Sequence, residues 1–258
     1  MLAFAFKSRD RALHPLVSCL NLQYRTSSSL HVQVEPLDNE NEGIFLLSLT
    51  RPDAKNAIGR QLLHLKERAA MTQQEAAEFV TDLRATFNAV EALPMPTVAV
   101  VDGYALGGGA ELALACDLRV SGAAAQFAFP ETRLGIIPGA GGTQRLPRVV
   151  GRTRAKELIF TGRRINAQEA VDIGLVDFLA EEGASAEQRG LQLARDIAKA
   201  GPIALRMAKS AINQGSEVNL QAGLQMEEAM YARVLGTQDR LEGLKAFAEK
   251  RTPQFTGQ

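Results

Sequence analysis

Two glutamates, Glu111 and Glu131, have the side-chain type and the setting that proton-transfer chemistry needs. Glu111 follows the glycines Gly107–Gly109 and lies in the first turn of a predicted helix. Glu131 follows Pro130, which ends the predicted strand Phe127–Phe129, so we expect it in a loop, where catalytic groups are often carried. The alternatives are an acid that complements a helix dipole, for Glu111, and a solvated loop acid, for Glu131.

The elements around Glu111 form a predicted strand-to-helix junction. Val98–Val101 is a short apolar run between Pro96 and Gly103, as in a buried strand, and Ala110–Leu118 is rich in helix formers. The glycines between them permit close backbone approach. The free N–H groups at such a junction, with the positive end of the helix dipole, would stabilise a carbonyl oxygen that gains negative charge.

The glycine-rich stretch P-G-A-G-G-T-Q-R does not match a known phosphate-binding loop. It lacks the Gly-Lys-Ser/Thr ending of a P-loop, and Gln144 stands where a dinucleotide fingerprint has its last glycine. We interpret it as a tight turn that opens a helix near Thr143.

Two motifs, in this order and at this separation, resemble the signature blocks of the crotonase, or enoyl-CoA hydratase, superfamily. They are G-Y-A-L-G-G-G-A-E-L-A-L-A-C-D and P-E-T-R-L-G-I-I-P-G-A-G-G-T-Q-R-L. The resemblance extends from about Gly43 to the C-terminus and is strongest to mitochondrial hydratases near the methylglutaconyl-CoA branch. It implies that Gly107 and Gly108 bind the substrate, that Gly108 supplies an oxyanion-hole N–H, and that Glu111 and Glu131 are the catalytic acids of a hydratase.

The resemblance also implies an α/β fold and an oligomer. Spiral ββα turns would form two roughly perpendicular sheets, and C-terminal helices would build trimers that pair into hexamers. We therefore divide the chain into a leader (1–29), a spiral core (30–195) and a helical oligomerisation region (196–258). Lys55, Lys66, Phe247 and Lys250 become candidate contacts for the CoA part of the acyl-CoA substrate; the alternatives are solvated lysines and an ordinary helical aromatic.

The chain departs from the family's pattern after residue 63. Residues 61–64 run directly into residues 65–68, where the family has a further helix, a strand and a turn. About thirty residues are predicted to be missing, by usual element lengths. In the family that turn provides the second oxyanion-hole N–H and much of the adenine pocket. A second hypothesis is therefore a catalytically impaired subunit that binds normal copies.

Composition excludes several other functions. The chain has 258 residues, 46% hydrophobic content and no formal net charge, so it can bury a large core and has no general attraction for nucleic acid. No apolar run reaches the roughly 20 residues of a membrane span. With two cysteines and three scattered histidines, neither a zinc site nor a histidine triad is indicated. We expect no metal or redox cofactor, since CoA is part of the substrate.

Two basic segments carry further predictions. Residues 1–29 contain Lys7, Arg9, Arg11 and Arg25 against one acid and end in Y-R-T-S-S-S, which predicts a transit peptide for the mitochondrial matrix rather than a disordered tail. Residues 145–164 hold seven basic residues, a pattern we interpret as a solvated helix face. RNA binding is the less favoured alternative, kept because a member of the superfamily binds AU-rich RNA.

The remaining helices are predicted from caps and apolar spacing. Thr72 and Glu75 form a capping box for a helix that runs to Pro94, and another helix stops at Gly174 before a strand at Leu175–Leu179. Predicted helices then cover 187–199, 202–213, 219–235 and 238–251.

Overall fold

A computed structural model describes residues 2–5, 32–37, 44–49 and 71–258. The predicted shortening after residue 63, and the candidate residues Lys55 and Lys66, lie outside these ranges. The described chain has the predicted α/β character, with two small sheets surrounded by helices.

The larger sheet has six strands in the order β2-β3-β1-β4-β6-β9. These are β1 (Leu2–Ala5), β2 (Val32–Pro36), β3 (Ile44–Leu49), β4 (Thr97–Val101), β6 (Leu118–Ser121) and β9 (Phe178–Leu179). The strands β4, β6 and β9 are parallel neighbours, whereas β1 is antiparallel to both β3 and β4. Four residues of the predicted leader therefore lie inside this sheet, between β3 and β4.

The smaller sheet consists of β5 (Tyr104–Leu106), β7 (Gln126–Ala128) and β8 (Ile165–Asn166). Strand β7 lies in the middle, parallel to β5 and antiparallel to β8. The predicted strand at 127–129 is thus confirmed, one residue earlier in the chain.

The helices carry the rest of the described chain. They are α1 (Gln73–Glu91), α2 (Gly108–Leu114), a 3₁₀ helix (Pro130–Leu134), α3 (Gly142–Val150), α4 (Arg152–Thr161), α5 (Ala167–Asp172), α6 (Ala186–Ala198), α7 (Pro202–Gly215), α8 (Leu220–Leu235) and α9 (Gln238–Ala248). The predicted capping box is present, since the Thr72 hydroxyl accepts from Glu75 N–H and the Glu75 carboxylate accepts from Thr72 N–H. Across the ranges that the structure describes, every helix is too short or too polar to cross a membrane.

Helix α2 is shorter than predicted: it ends at Leu114 and not at Leu118. The Asp117 carboxylate accepts hydrogen bonds from the N–H and hydroxyl of Thr97, at 2.7 and 2.8 Å, which draws the chain beside β4. Residues from Leu118 onward then pair with β4 as β6. The predicted strand at Leu175–Leu179 is shorter too, since Val176 N–H donates to Ala170 O and pairing starts at Phe178.

Two clusters of buried side chains form most of the core near the catalytic candidates. One cluster of buried side chains packs the smaller sheet against α2, α3, α4 and α5, and includes Phe127, Phe129, Leu146 and Leu158. A second packs β4 and β6 against α6. Glu111 and Glu131 lie in segments anchored by the first cluster, so their backbones are held by buried apolar contacts.

Candidate active site

Glu111 is a buried carboxylate in the first turn of α2, with 3% of its surface exposed. Its Oε1 accepts hydrogen bonds from the N–H groups of Ala140 and Gly142, at 2.9 and 2.8 Å. Both amides belong to the turn that precedes and opens α3, the turn predicted from the glycine-rich stretch. Backbone donors on one oxygen fix the carboxyl group in place.

Glu131 is also buried, with 7% of its surface exposed. The sequence predicted a loop here, but the structure has a 3₁₀ helix from Pro130 to Leu134. Pro130 occupies its first turn, and Gly135 ends it in the left-handed conformation at φ +72°.

Gly107 contacts both glutamates, the backbone of Glu111 and the carboxylate of Glu131. Its N–H donates to Ala128 O and its carbonyl accepts from Glu111 N–H, both at 2.9 Å. Its φ is +54°, and a Cβ atom added there would lie 2.8 Å from Glu131 Oε1. The backbone of Glu111 and the carboxylate of Glu131 therefore both lie against one glycine.

Gly108 is the first residue of α2. An N–H at this position has no acceptor within its own helix and lies at the positive end of the helix dipole. The junction thus has the form predicted for an oxyanion-binding group, beside Glu111 and Glu131. The oxyanion role of Gly108 stays a prediction.

Of the other candidate residues, Phe247 and Lys250 lie within the described ranges, at the end of α9, whereas Lys55 and Lys66 lie outside them. Phe247 lies in the last turn of α9 with 87% of its surface exposed, and Lys250 follows α9 with φ +54°. The CoA roles of Phe247, Lys250, Lys55 and Lys66 stay predictions.

Several arginines of the basic stretch make ion pairs within the chain. Arg148 binds Glu217 at 3.1 Å, and Arg163 binds both Glu157 and Glu169, at 2.5 and 2.6 Å. The interpretation as a solvated helix face is therefore correct for Arg148 but wrong for Arg163, which lies in the loop after α4, and for Arg145, whose side chain is 10% exposed. The ion pairs reduce the charge available to a nucleic acid.

Sequence reasoning missed the groups that hold Glu111. Ala140 and Gly142 act through their backbone, which residue type does not reveal. Arg145 was assigned to the basic stretch, but its Nη1 donates to Ala140 O at 3.0 Å. Arg84, on α1, donates from Nε to Gly139 O at 2.9 Å.

Neither metal nor thiol chemistry is indicated beside the glutamates. Among residues 71–258 and the three shorter described segments, no group of three or more His, Cys, Asp or Glu side chains is placed to hold a metal ion. Cys116 is buried, and desolvation, followed by the Asp117 charge, raises the pKa of its thiol to about 12. A thiol in this state is a poor nucleophile.

Comparisons with known proteins identify the family. A model of the family "Enoyl-CoA hydratase/isomerase" matches residues 63–258. The chain is 44% identical over 275 residues to "Probable enoyl-CoA hydratase 2, mitochondrial" of Arabidopsis thaliana, covering 94% of this chain and 91% of the relative. It is 44% identical over 263 residues to "Methylglutaconyl-CoA hydratase, mitochondrial" of Mus musculus, covering 88% and 84%.

A solved structure has the same fold. The enoyl-CoA hydratase of Bacillus anthracis superposes with a TM-score of 0.83 at 41% identity, covering 89% of this chain and all of that chain. Both sequence alignments are longer than the 258 residues of this chain, as gaps on its side would produce. The position and size of the shortening after residue 63 stay a prediction.

Proposed function

We propose that this chain, which belongs to the enoyl-CoA hydratase/isomerase family, adds water across the 2,3 double bond of a trans-2-enoyl-CoA. Members of this family are hydro-lyases with the crotonase fold, and this chain is an enzyme of that class. The observation that carries the proposal is that two buried glutamates both contact the junction that opens α2: Glu111 N–H binds Gly107 O, and Glu131 Oε1 lies beside the Gly107 Cα, where a side chain would begin.

In the proposed reaction the two glutamates divide the proton transfers. Glu111 removes a proton from water, whose oxygen then attacks C3 of the enoyl thioester. The electron pair of the double bond moves toward the thioester carbonyl, and Gly108 N–H stabilises the enolate oxygen where that charge develops. Glu131, which starts protonated, then donates its proton to C2. The proton that Glu111 took from water must pass to Glu131 before the next turnover, and the net change is then the addition of one water molecule.

The substrate class and the location follow from the relatives. Their names mention methylglutaconyl-CoA and other enoyl-CoA hydration, so fatty-acid and branched-chain amino-acid breakdown are the proposed pathways. Relatives carry mitochondrial designations, and we assign this chain to the mitochondrion, with the matrix as the proposed compartment. No metal or redox cofactor has a step in this scheme.

The predicted shortening after residue 63 supports the second candidate function, a catalytically impaired subunit. Loss of one oxyanion-hole donor typically lowers turnover by on the order of a hundred- to a thousandfold. A chain without it, but with exposed apolar side chains on α8 and α9, would act as a catalytically impaired subunit that associates with normal copies.

The test is hydration of crotonyl-CoA and 3-methylglutaconyl-CoA by the purified full chain, followed by loss of enoyl-thioester absorbance. Glu111→Gln and Glu131→Gln should each lower kcat by about a hundredfold or more, because each removes a proton carrier. Glu228→Gln, an exposed position on α8, is the matched control and should keep the parent rate.

A second chain, with the predicted missing helix, strand and turn restored, separates the two candidate functions. Equal rates in both chains would support the hydratase as written. Activity in the restored chain alone would support the impaired subunit, and activity in neither would contradict the proposal.

A further inference from the structure

Two arginines that take no part in the proton transfers donate hydrogen bonds to the Gly139–Gly142 turn, whose amides bind Glu111. Arg84 lies on α1 and Arg145 on α3, and they bind successive carbonyl groups of the turn, those of Gly139 and Ala140. The same turn presents its N–H groups to Glu111 on the other side.

The geometry of one peptide group links Arg84 directly to Glu111. The carbonyl of Gly139 and the N–H of Ala140 belong to the same planar trans peptide group, so they point in opposite directions. Arg84 Nε binds the carbonyl at 2.9 Å, and Glu111 Oε1 binds the N–H at 2.9 Å. Rotation of this peptide group would break both hydrogen bonds together.

Arg145 makes the stronger attachment. Its side chain is 10% exposed, and its Nη2 lies 2.7 Å from Asn88 Oδ1 and 2.7 Å from Glu91 Oε2. Its Nε also donates to Glu91 Oε1 at 3.2 Å, so the guanidinium binds the carboxylate with two N–H groups while Nη1 binds Ala140 O. A planar fork of donors in these directions is something a lysine does not provide.

The glycines of the turn let both contacts form. Gly141 has φ +114°, and a Cβ atom there would overlap the Arg145 guanidinium. A Cβ atom on Gly139 would lie 2.7 Å from Val80 Cγ1, on α1. The turn therefore lies directly against the face of α1 that carries Val80, Arg84, Asn88 and Glu91, which recur at the i+4 and i+3 spacing of one helix face.

We propose that Arg84 and Arg145 are positioning residues that hold the Gly139–Gly142 turn so that its amides orient the Glu111 carboxylate. This inference rests on the proposed function, because it gives Glu111 the role of the base. The two arginines contact the turn and not the substrate, so their replacement changes the rate of proton transfer more than the affinity for the thioester.

The kinetic test uses paired substitutions at each arginine. We expect Arg145→Met and Arg145→Lys each to lower kcat by about tenfold to a hundredfold, since a small displacement of a catalytic group has effects of this size. The KM should stay within about twofold. Arg84→Met should lower kcat by about threefold to tenfold, and Arg84→Lys should restore it, because Arg84 supplies a single donor.

Arg148→Met is the matched control. Arg148 lies on α3 three residues after Arg145, and its exposed side chain pairs with Glu217, away from the turn. It should keep the parent kcat and KM. Parent-like kcat in Arg145→Met, or an equal loss in Arg148→Met, would overturn the proposal.

Hydrogen exchange of the backbone amides tests the same proposal without any activity. In Arg145→Met the amides of Ala140 and Gly142 should exchange about tenfold faster or more, whereas amides of β4 and β6 should keep their parent rates. Unchanged exchange at Ala140 and Gly142 would overturn the proposal. If the parent chain does not hydrate enoyl-CoA, the proposed function fails while this measurement still decides the role of the arginines; if Arg145→Met does not fold, the Arg84 pair decides it.

Discussion

At the scale of single residues, the lack of a side chain at Gly107 matters as much as the carboxyl groups beside it. Gly107→Ala would place a methyl group 2.8 Å from Glu131 Oε1 and force a side chain into φ +54°. We expect kcat to fall by about tenfold or more, because Glu131 must move, and the free energy of unfolding to fall by about 1–3 kcal/mol. Hydration kinetics and urea unfolding measure the two effects.

Gly174→Ala separates strain from displacement of the carboxylate. Gly174 also has a positive φ, +77°, but a Cβ atom there would meet nothing within 4 Å. The Gly174→Ala variant should have a lower free energy of unfolding, because of backbone strain, and should keep the parent kcat. A comparable loss of kcat in both variants would contradict the role we give to Gly107.

Cys116 gives a second residue-scale prediction. Because burial raises the pKa of its thiol to about 12, the thiol stays protonated at pH 8. We expect iodoacetamide to leave Cys116 unmodified in the folded chain and to modify it fully in concentrated guanidinium. Peptide mass spectrometry distinguishes it from Cys19, and rapid labelling of Cys116 in the folded chain would contradict the buried position.

The sequence pointed to candidate residues by side-chain type and missed the groups that contact them through the backbone. Glu111 and Glu131 stand out by type and by their neighbours. The amides of Ala140 and Gly142 have no such signal, because every residue except proline has an N–H. Arg145 was misjudged because its partner Glu91 is 54 residues away in the chain.

At the scale of elements, a lysine joins the C-terminal helices to the sheet that leads into the active site. Lys209, on α7, donates to Asp117 Oδ2 at 2.7 Å and to Met95 O at 3.0 Å, and its side chain is 9% exposed. Asp117 in turn binds Thr97 at the start of β4. Helix α7 is thereby attached at the point where α2 ends and β6 begins.

We expect Lys209→Met to lower the free energy of unfolding by about 2–3 kcal/mol. The substitution keeps the apolar stem but leaves Asp117 partly buried beside an uncharged neighbour, which is costly. Lys199→Met is the control, since Lys199 and Asp196 form an exposed pair, and we expect no measurable change in its urea midpoint. Equal midpoints for both variants would contradict the attachment.

Element boundaries show what local pattern can and cannot predict. The capping box of α1 and the apolar run of β4 are local, and both were predicted correctly. Helix α2 was predicted four residues too long, because Leu118–Ser121 has good helix formers around it but pairs with β4 through contacts twenty residues away. Strand β1 was missed because its partners begin more than forty residues later.

At the scale of the whole molecule, the C-terminal helices expose an apolar surface. The exposed side chains include Ile212, Leu220, Leu224, Tyr231 and Leu244. A homotrimer or hexamer stays the prediction. We expect the double variant Leu220→Glu, Leu224→Glu to sediment as a smaller species than the parent, since it charges that surface. Ala85→Glu, on the exposed side of α1, should leave the sedimentation coefficient unchanged, and a parent that is already monomeric would contradict the prediction.

The position of β1 links the predicted gap to the stability of the whole fold. Residues 2–5 lie between β3 and β4, with Leu2 opposite both Leu47 and Ala99. A strand at this position gives both neighbours a hydrogen-bonding partner, which unpaired strand edges would lack. If the predicted leader were cleaved after residue 29, the sheet would lose this strand. The same residues therefore cannot both be removed as a transit peptide and form β1 in the mature chain.

Removal of β1 should therefore lower the stability of the fold only in a chain that has no other strand to pair with β3 and β4. We expect deletion of residues 2–5, or Ala3→Pro, to lower the urea midpoint of the chain as written, since proline removes a donor from an interior strand. In the chain with the helix, strand and turn restored, the added strand can pair with β3 and β4, and the same changes should have little effect. Equal losses in both chains would show that β1 does not replace the missing strand. A loss confined to the chain as written would show that β1 occupies the position of that strand.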